Sequence, residues 1–189
     1  LGVFKFALTQ PEALIDINFF ALLGRLAQVV MAQGDQNGAR AMAELQNMLL
    51  ENTEEGRRLK AESDMAQTAM KDLQEANQAG LTREKLLDMM VAAPSETYLV
   101  TMIRMVRSGL DYEFFQLLTG RIEAASGEEK DKLLGLRERI LAVTQEMDAA
   151  LEEHKKETRA ALEKILAAPD VEVAMAEGLE EVDDYFIEL

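Results

Sequence analysis

Two pairs of glutamates stand three residues apart, Glu51 with Glu54 and Glu177 with Glu180. On a helix this spacing puts both carboxylates on one face, the hard-oxygen arrangement that Mg²⁺ favours. The chemistry it would serve is metal-assisted hydrolysis of nucleotides, with the ion activating water and steadying phosphate oxygens. In a chain with 35 acids such spacing also arises by chance, and a solvated acidic face is the plainer reading of both pairs.

His154 is the single histidine. It follows Leu133, Ile140 and Met147 at seven-residue steps, which places it at the edge of a buried helical seam. A ferritin-like di-iron site needs a glutamate three residues before the histidine, and position 151 is leucine, so that site is excluded. There is no cysteine, hence no disulfide, thiolate nucleophile or zinc-thiolate site. Nucleophile-elbow, phosphate-loop and dinucleotide fingerprints are missing as well. No residue is assigned a catalytic, cofactor-binding or metal-ligating role, and no cofactor is expected.

The apolar residues point elsewhere. Phe19, Phe20, Phe114 and Phe115 recur in register, as core packing requires, with a ligand pocket as the alternative. Met89, Met90, Met102 and Met105 fit core filling or an adaptable groove for a partner helix. Arg104 and Arg107 close the same helix, where cations complement its dipole. The last twenty residues, 170–189, carry eight acids and no base, yet Val182, Tyr185, Phe186 and Leu189 are apolar. A terminal helix docked by its apolar face is one reading, a tail that docks on another chain the other. The candidate partner-binding residues are Met102, Met105, Tyr185, Phe186 and Leu189.

Such residues need elements to hold them, and composition says which. Three prolines and eleven glycines in 189 residues, with hydrophobic content at 48%, favour helix and a packed core. β-branched residues are sparse and nothing alternates as a half-buried strand should. The fold class is all-α. A net charge of −15 argues against nucleic acid and anionic membrane surfaces, both of which recruit clustered Lys and Arg. No apolar run reaches the roughly 20 residues that span a bilayer, so no membrane insertion is expected. The lack of cysteine fits a cytoplasmic setting. A start at Leu1 rather than Met is expected of a processed chain or a part of a longer one, in which any targeting peptide would be missing.

The expected elements begin with an extended arm over 1–10. Thr9 with Glu12 has capping-box spacing and starts a helix that Asp16 restarts or bends and Gly34 stops. After a turn at Gly34–Gly38 a long helix runs over about 39–77, with a break or bend near Gly56. Its seam is Met42, Leu45, Leu49, Leu59, Ala66, Met70 and Leu73. Thr82 caps a helix over 83–92, Ser95 one over 96–108, and Asp111 one over 112–125. Ser126 with Glu129 forms a second capping box, opening a helix to Ala168 of roughly 60 Å. Asp170 caps a last helix.

The chain also repeats itself. Asp16-Ile-Asn-Phe-Phe-Ala-Leu-Leu-Gly-Arg25-Leu aligns with Asp111-Tyr-Glu-Phe-Phe-Gln-Leu-Leu-Thr-Gly-Arg121-Ile. Further on, Leu45, Leu49, Leu50, Thr53 and Glu55 correspond to Leu136, Ile140, Leu141, Thr144 and Glu146. A helical hairpin leaves an apolar face open that a neighbouring copy can cover. The expected architecture is therefore an elongated helical bundle or a short helical-repeat array, with repeat units over 11–94 and 95–189 packed as one domain.

Pro11-Glu-Ala-Leu, Leu22-Leu23, the Ala-Gln-Gly-Asp turn at Ala32–Asp35 and Met48-Leu-Leu together resemble tetratricopeptide-like helical repeat segments of bacterial multidomain signalling proteins. The resemblance covers about residues 11–50 and implies use as an interaction scaffold. The expectation is a non-catalytic protein–protein interaction module acting through helix faces on a protein partner or on a second copy. The alternative is the Mg²⁺-dependent carboxylate hydrolase.

Overall fold

The computed structural model describes residues 15–169. These form seven α-helices and no strand, so the all-α class holds. The expected arm, the Thr9 cap and the helix after Asp170 lie outside the described residues, as do Tyr185, Phe186 and Leu189. The chain divides between Glu75 and Ala76 into two compact units. Pro94, expected at the boundary between the copies, stands in a turn between two short helices of the second unit.

In the first unit, helix α1 (Ile17–Ala32) and helix α2 (Gln36–Asn52) form a hairpin. Asp16 starts α1 by accepting a hydrogen bond from the Phe19 N–H at 2.9 Å, meeting one of the donors that a helix start leaves unpaired. The turn falls where glycine allows it: Gly34 has φ 74°, a left-handed conformation costly for other residues. Asp35 then caps α2 through the Gly38 N–H at 2.9 Å. Ile15, Phe20, Leu23 and Leu49 are the buried cluster, with Phe19, Met42, Leu45, Leu50 and Leu59 packed on it.

The long helix expected over 39–77 is two helices, because Thr53 interrupts it. Thr53 has extended backbone, φ −111° and ψ 156°. Its hydroxyl donates to the Leu49 carbonyl at 2.7 Å and accepts from the Gly56 N–H at 3.0 Å. One buried side chain thus ends α2 and caps helix α3 (Glu54–Gln78), the competition that Thr offers to a continuous ladder. The break resets the helical phase. On α3 the buried positions are Gly56, Ala69, Leu73 and Ala76, and Met70 of the expected seam is exposed.

In the second unit, α4 (Arg83–Val91) and α5 (Glu96–Met105) are short, followed by a 3₁₀ turn at Arg107–Gly109. Helix α6 (Tyr112–Ala124) and the 40-residue helix α7 (Gly127–Leu166) complete it. Thr82, Ser95 and Asp111 cap as their types predict. Ser126 stands at the start of α7 without a side-chain capping bond, so the second capping box does not form. Helix α6 packs on both α4 and α7, and α5 packs on α7. Phe114, Leu118, Met102, Ile103 and Ile140 are completely buried at its centre.

Ion pairs show the direction of packing. Arg83, opening α4, holds Asp111 and Glu113 at the start of α6, and Asp88 further along α4 meets Arg121 at 2.5 Å near the end of α6. Start pairs with start, so α4 and α6 run in the same direction. Glu96 pairs with Arg139, and Arg107 with Asp148 at 2.8 Å, so α5 likewise runs with the matching part of α7. All are partly solvated, so each adds little to stability; their use here is to fix register.

Candidate interaction surface

The two aligned segments begin alike. Asp111 accepts from the Phe114 N–H at 3.0 Å as Asp16 does from Phe19. Each cap is followed by an edge-to-face ring pair, Phe19–Phe20 with centroids 6.2 Å apart and Phe114–Phe115 at 5.7 Å. They differ in which ring is inside: Phe20 is buried and Phe19 half-buried, whereas Phe114 is buried and Phe115 half-buried. The phenylalanines are therefore core residues in both units, as repetition implied.

They differ more in what lies on the outer side. At 100° per residue, Leu22, Leu26 and Val29 fall within about 60° of arc on α1. These side chains are 56%, 44% and 52% exposed. Ile17 and Met31 of the same helix are exposed as well. Arg25, beside the stripe, is the one charged residue between Ile17 and Ala32. A helix apolar on all sides belongs in a core, and contiguous exposed apolar surface marks a binding face more often than chance does. On α6 Tyr112 alone is an exposed large apolar residue.

The second unit carries a groove of about 430 Å³ between the α4–α5 turn and α7. Met90, Leu99, Leu133 and Leu136 make its apolar walls, and Ser95, Glu96, Lys132 and Arg139 are polar. Glu96 and Arg139 satisfy each other, which leaves Lys132, exposed on α7, as the charge available to a ligand.

Residues expected from the sequence to act together are separated. Met102 is completely buried and Met105 is exposed, so the two share no surface. Met90 is buried and Met89 half-buried, the placement of core filler. His154 is exposed rather than on the seam. A seven-residue repeat drifts about 20° per heptad on a straight helix, and after Leu133 and Ile140 the positions pass through half-buried Met147 into solvent. Glu51 and Glu54 fall on different helices, either side of Thr53, and both are exposed. Glu177 and Glu180 lie outside the described residues. Among the described residues no three His, Asp or Glu side chains gather as a metal would need. No helix among them is long and apolar enough to cross a membrane.

Sequence reasoning missed the stripe on α1 and the four bridging arginines, 83, 107, 121 and 139. The stripe had a signal, since a segment with one charge in sixteen residues exceeds what one hairpin partner can cover. The arginines had none, because their partners are 28 or more positions away for the Arg83–Asp111 pair and its longer-range counterparts.

Asp111 carries a measurable electrostatic signature. The Arg83 guanidinium, and then the Phe114 N–H, hold its carboxyl down at about 2. A depressed folded value means that the stabilisation is present above the ordinary carboxylate range and is lost as pH falls from about 4 towards 2. In a carboxyl NMR titration, Arg83→Gln is expected to raise the Asp111 midpoint towards the ordinary aspartate value. An unmoved midpoint would show that the pair does not form in solution.

The chain matches no family model, no curated protein and no solved structure to which it was compared.

Proposed function

We propose that this chain is a non-catalytic protein-interaction module that works through helix faces. The observation that carries this reading is the stripe of Leu22, Leu26 and Val29, apolar and open to solvent on a helix whose opposite side is core. Each of these side chains keeps about half its surface in water, so covering it would recover about half of the roughly 1.5–3 kcal/mol that full burial of such a side chain is worth. The duplication into two helical units supports the reading through the shared aspartate cap and ring pair at Asp16 and Asp111. A cytoplasmic setting goes with it, supported by the cysteine-free composition.

A photo-crosslinking amino acid at Leu26 is expected to give discrete adducts in the native host. The same group at Lys60, exposed on α3, is expected to give none, and Leu22→Lys should abolish the Leu26 adducts. Equal labelling at both positions would count against the reading. Calorimetric titration of the full chain with Mg²⁺ or Mn²⁺ is expected to give no stoichiometric heat. A one-to-one isotherm accompanied by nucleotide hydrolysis would replace the interaction module with the carboxylate hydrolase.

A further inference from the structure

We infer that the outward stripe of α1 is a socket for one amphipathic helix of another polypeptide, lying parallel to α1, apolar opposite Leu26 and acidic along the edge facing Arg25. This deepens the interaction reading and rests on it. The second unit supplies the template. The alignment pairs Arg25 with Arg121 across one extra residue in the second segment, but counted turn by turn from the aspartate caps, as helix geometry requires, it is Leu22, Leu26 and Val29 that occupy the helical positions Leu117, Arg121 and Ala124 hold on α6. That side of α6 is occupied: α4 packs on it in parallel, and Asp88 of α4 meets Arg121 at 2.5 Å.

The comparison also says how the α1 occupant differs from α4. Where α6 offers a guanidinium to Asp88, α1 offers Leu26, so an acid at that position of the incoming helix would be buried unpaired, which is costly. An apolar residue belongs there. Arg25 lies next to the stripe and is exposed, with no ion-pair partner among the described residues. In a chain of net charge −15 it is a local positive mark on an otherwise uncharged helix, and it favours carboxylates on the rim of the partner. A second copy meeting α1 with its own α1 would instead bring two Arg25 side chains to one interface.

The probe is a peptide copying residues 81–93, held helical by a lactam between exposed positions because nine helical residues alone are marginal in water. It is made with Asp88 kept and with Asp88→Leu. Binding to the isotopically labelled full chain is followed by NMR. The Asp88→Leu peptide is expected to shift the amides of Leu22–Val29 and to bind at least about tenfold more tightly than the Asp88 peptide. In the Leu26→Arg chain the preference should invert, and Leu26→Lys, at a solvent-exposed position, should abolish binding of the Asp88→Leu peptide without changing the helical circular dichroism. Shifts confined to α6, no shifts at all, or the same preference in both chains would overturn the proposal. So would a dimer in sedimentation that Leu26→Lys dissolves, since a second copy would then fill the face. Crosslinks at Leu26 that persist beside a failed inversion would sink the partner chemistry and leave the interaction module standing.

Discussion

Replacing Phe114 by alanine is expected to cost about 3–5 kcal/mol of unfolding free energy, and Phe115→Ala roughly half as much. The Phe114 ring is completely buried beside Leu118 at the centre of the second unit. Its removal loses both the transfer free energy of the ring and the contacts of the walls that cannot close on the cavity. Phe115 keeps part of its surface in water and so has less to lose. The chain has no tryptophan, and its described tyrosines, Tyr98 and Tyr112, both stand in the second unit. Tyrosine fluorescence during urea unfolding therefore reports on that unit selectively. In the first unit the order should reverse, with Phe20→Ala worse than Phe19→Ala, read by hydrogen exchange along α2. Equal losses at Phe114 and Phe115 would mean that the difference in burial is not realised in solution.

Gly56→Ala is expected to destabilise the first unit by about 1–3 kcal/mol, the usual cost of forcing a methyl group into filled space. A Cβ at Gly56 would collide with the Leu49 carbonyl oxygen, and would stand 2.6 Å from Leu50 Cα and 2.7 Å from Thr53 Oγ1. Two of those three atoms are backbone, so relief requires α2 and α3 to move apart and gives up the hydrogen bonds that Thr53 makes to both. At Gly24, in the middle of α1, a methyl group would meet nothing within 4 Å. Gly24→Ala is therefore expected to stabilise by about 0.5–1 kcal/mol through the smaller backbone entropy lost on folding. Hydrogen exchange of α1 and α2 amides measures both variants. If Gly56→Ala left protection unchanged, the close crossing at Thr53 would be refuted.

The same junction shows how far local rules carry. Thr53 and Thr144 are aligned, yet Thr53 separates two helices while Thr144 bonds the Leu141 carbonyl at 3.0 Å inside an unbroken one. Three residues later the first segment has Gly56 and the second Met147. Only the glycine lets the following backbone lie against the preceding turn. A break near Gly56 was legible, but its placement at Thr53 depended on that close approach.

The helical class, the caps at Asp16, Thr82, Ser95 and Asp111, the turn at Gly34 and the paired phenylalanines could be read from residue type and short-range spacing. Each is settled by atoms a few positions apart, where hydrogen-bond geometry and glycine's φ freedom leave few choices. Which phenylalanine of each pair is inside, why His154 faces out, and how α4 comes to lie along α6 were not readable in that way. Those outcomes turn on helical phase accumulated over many residues and on partners such as Asp88 and Arg121 that meet only when helices pack. The same holds for the bare stripe on α1: the scarcity of charge in that segment was there to be read, but that Leu22, Leu26 and Val29 share an exposed side became visible only once α1 was packed against α2.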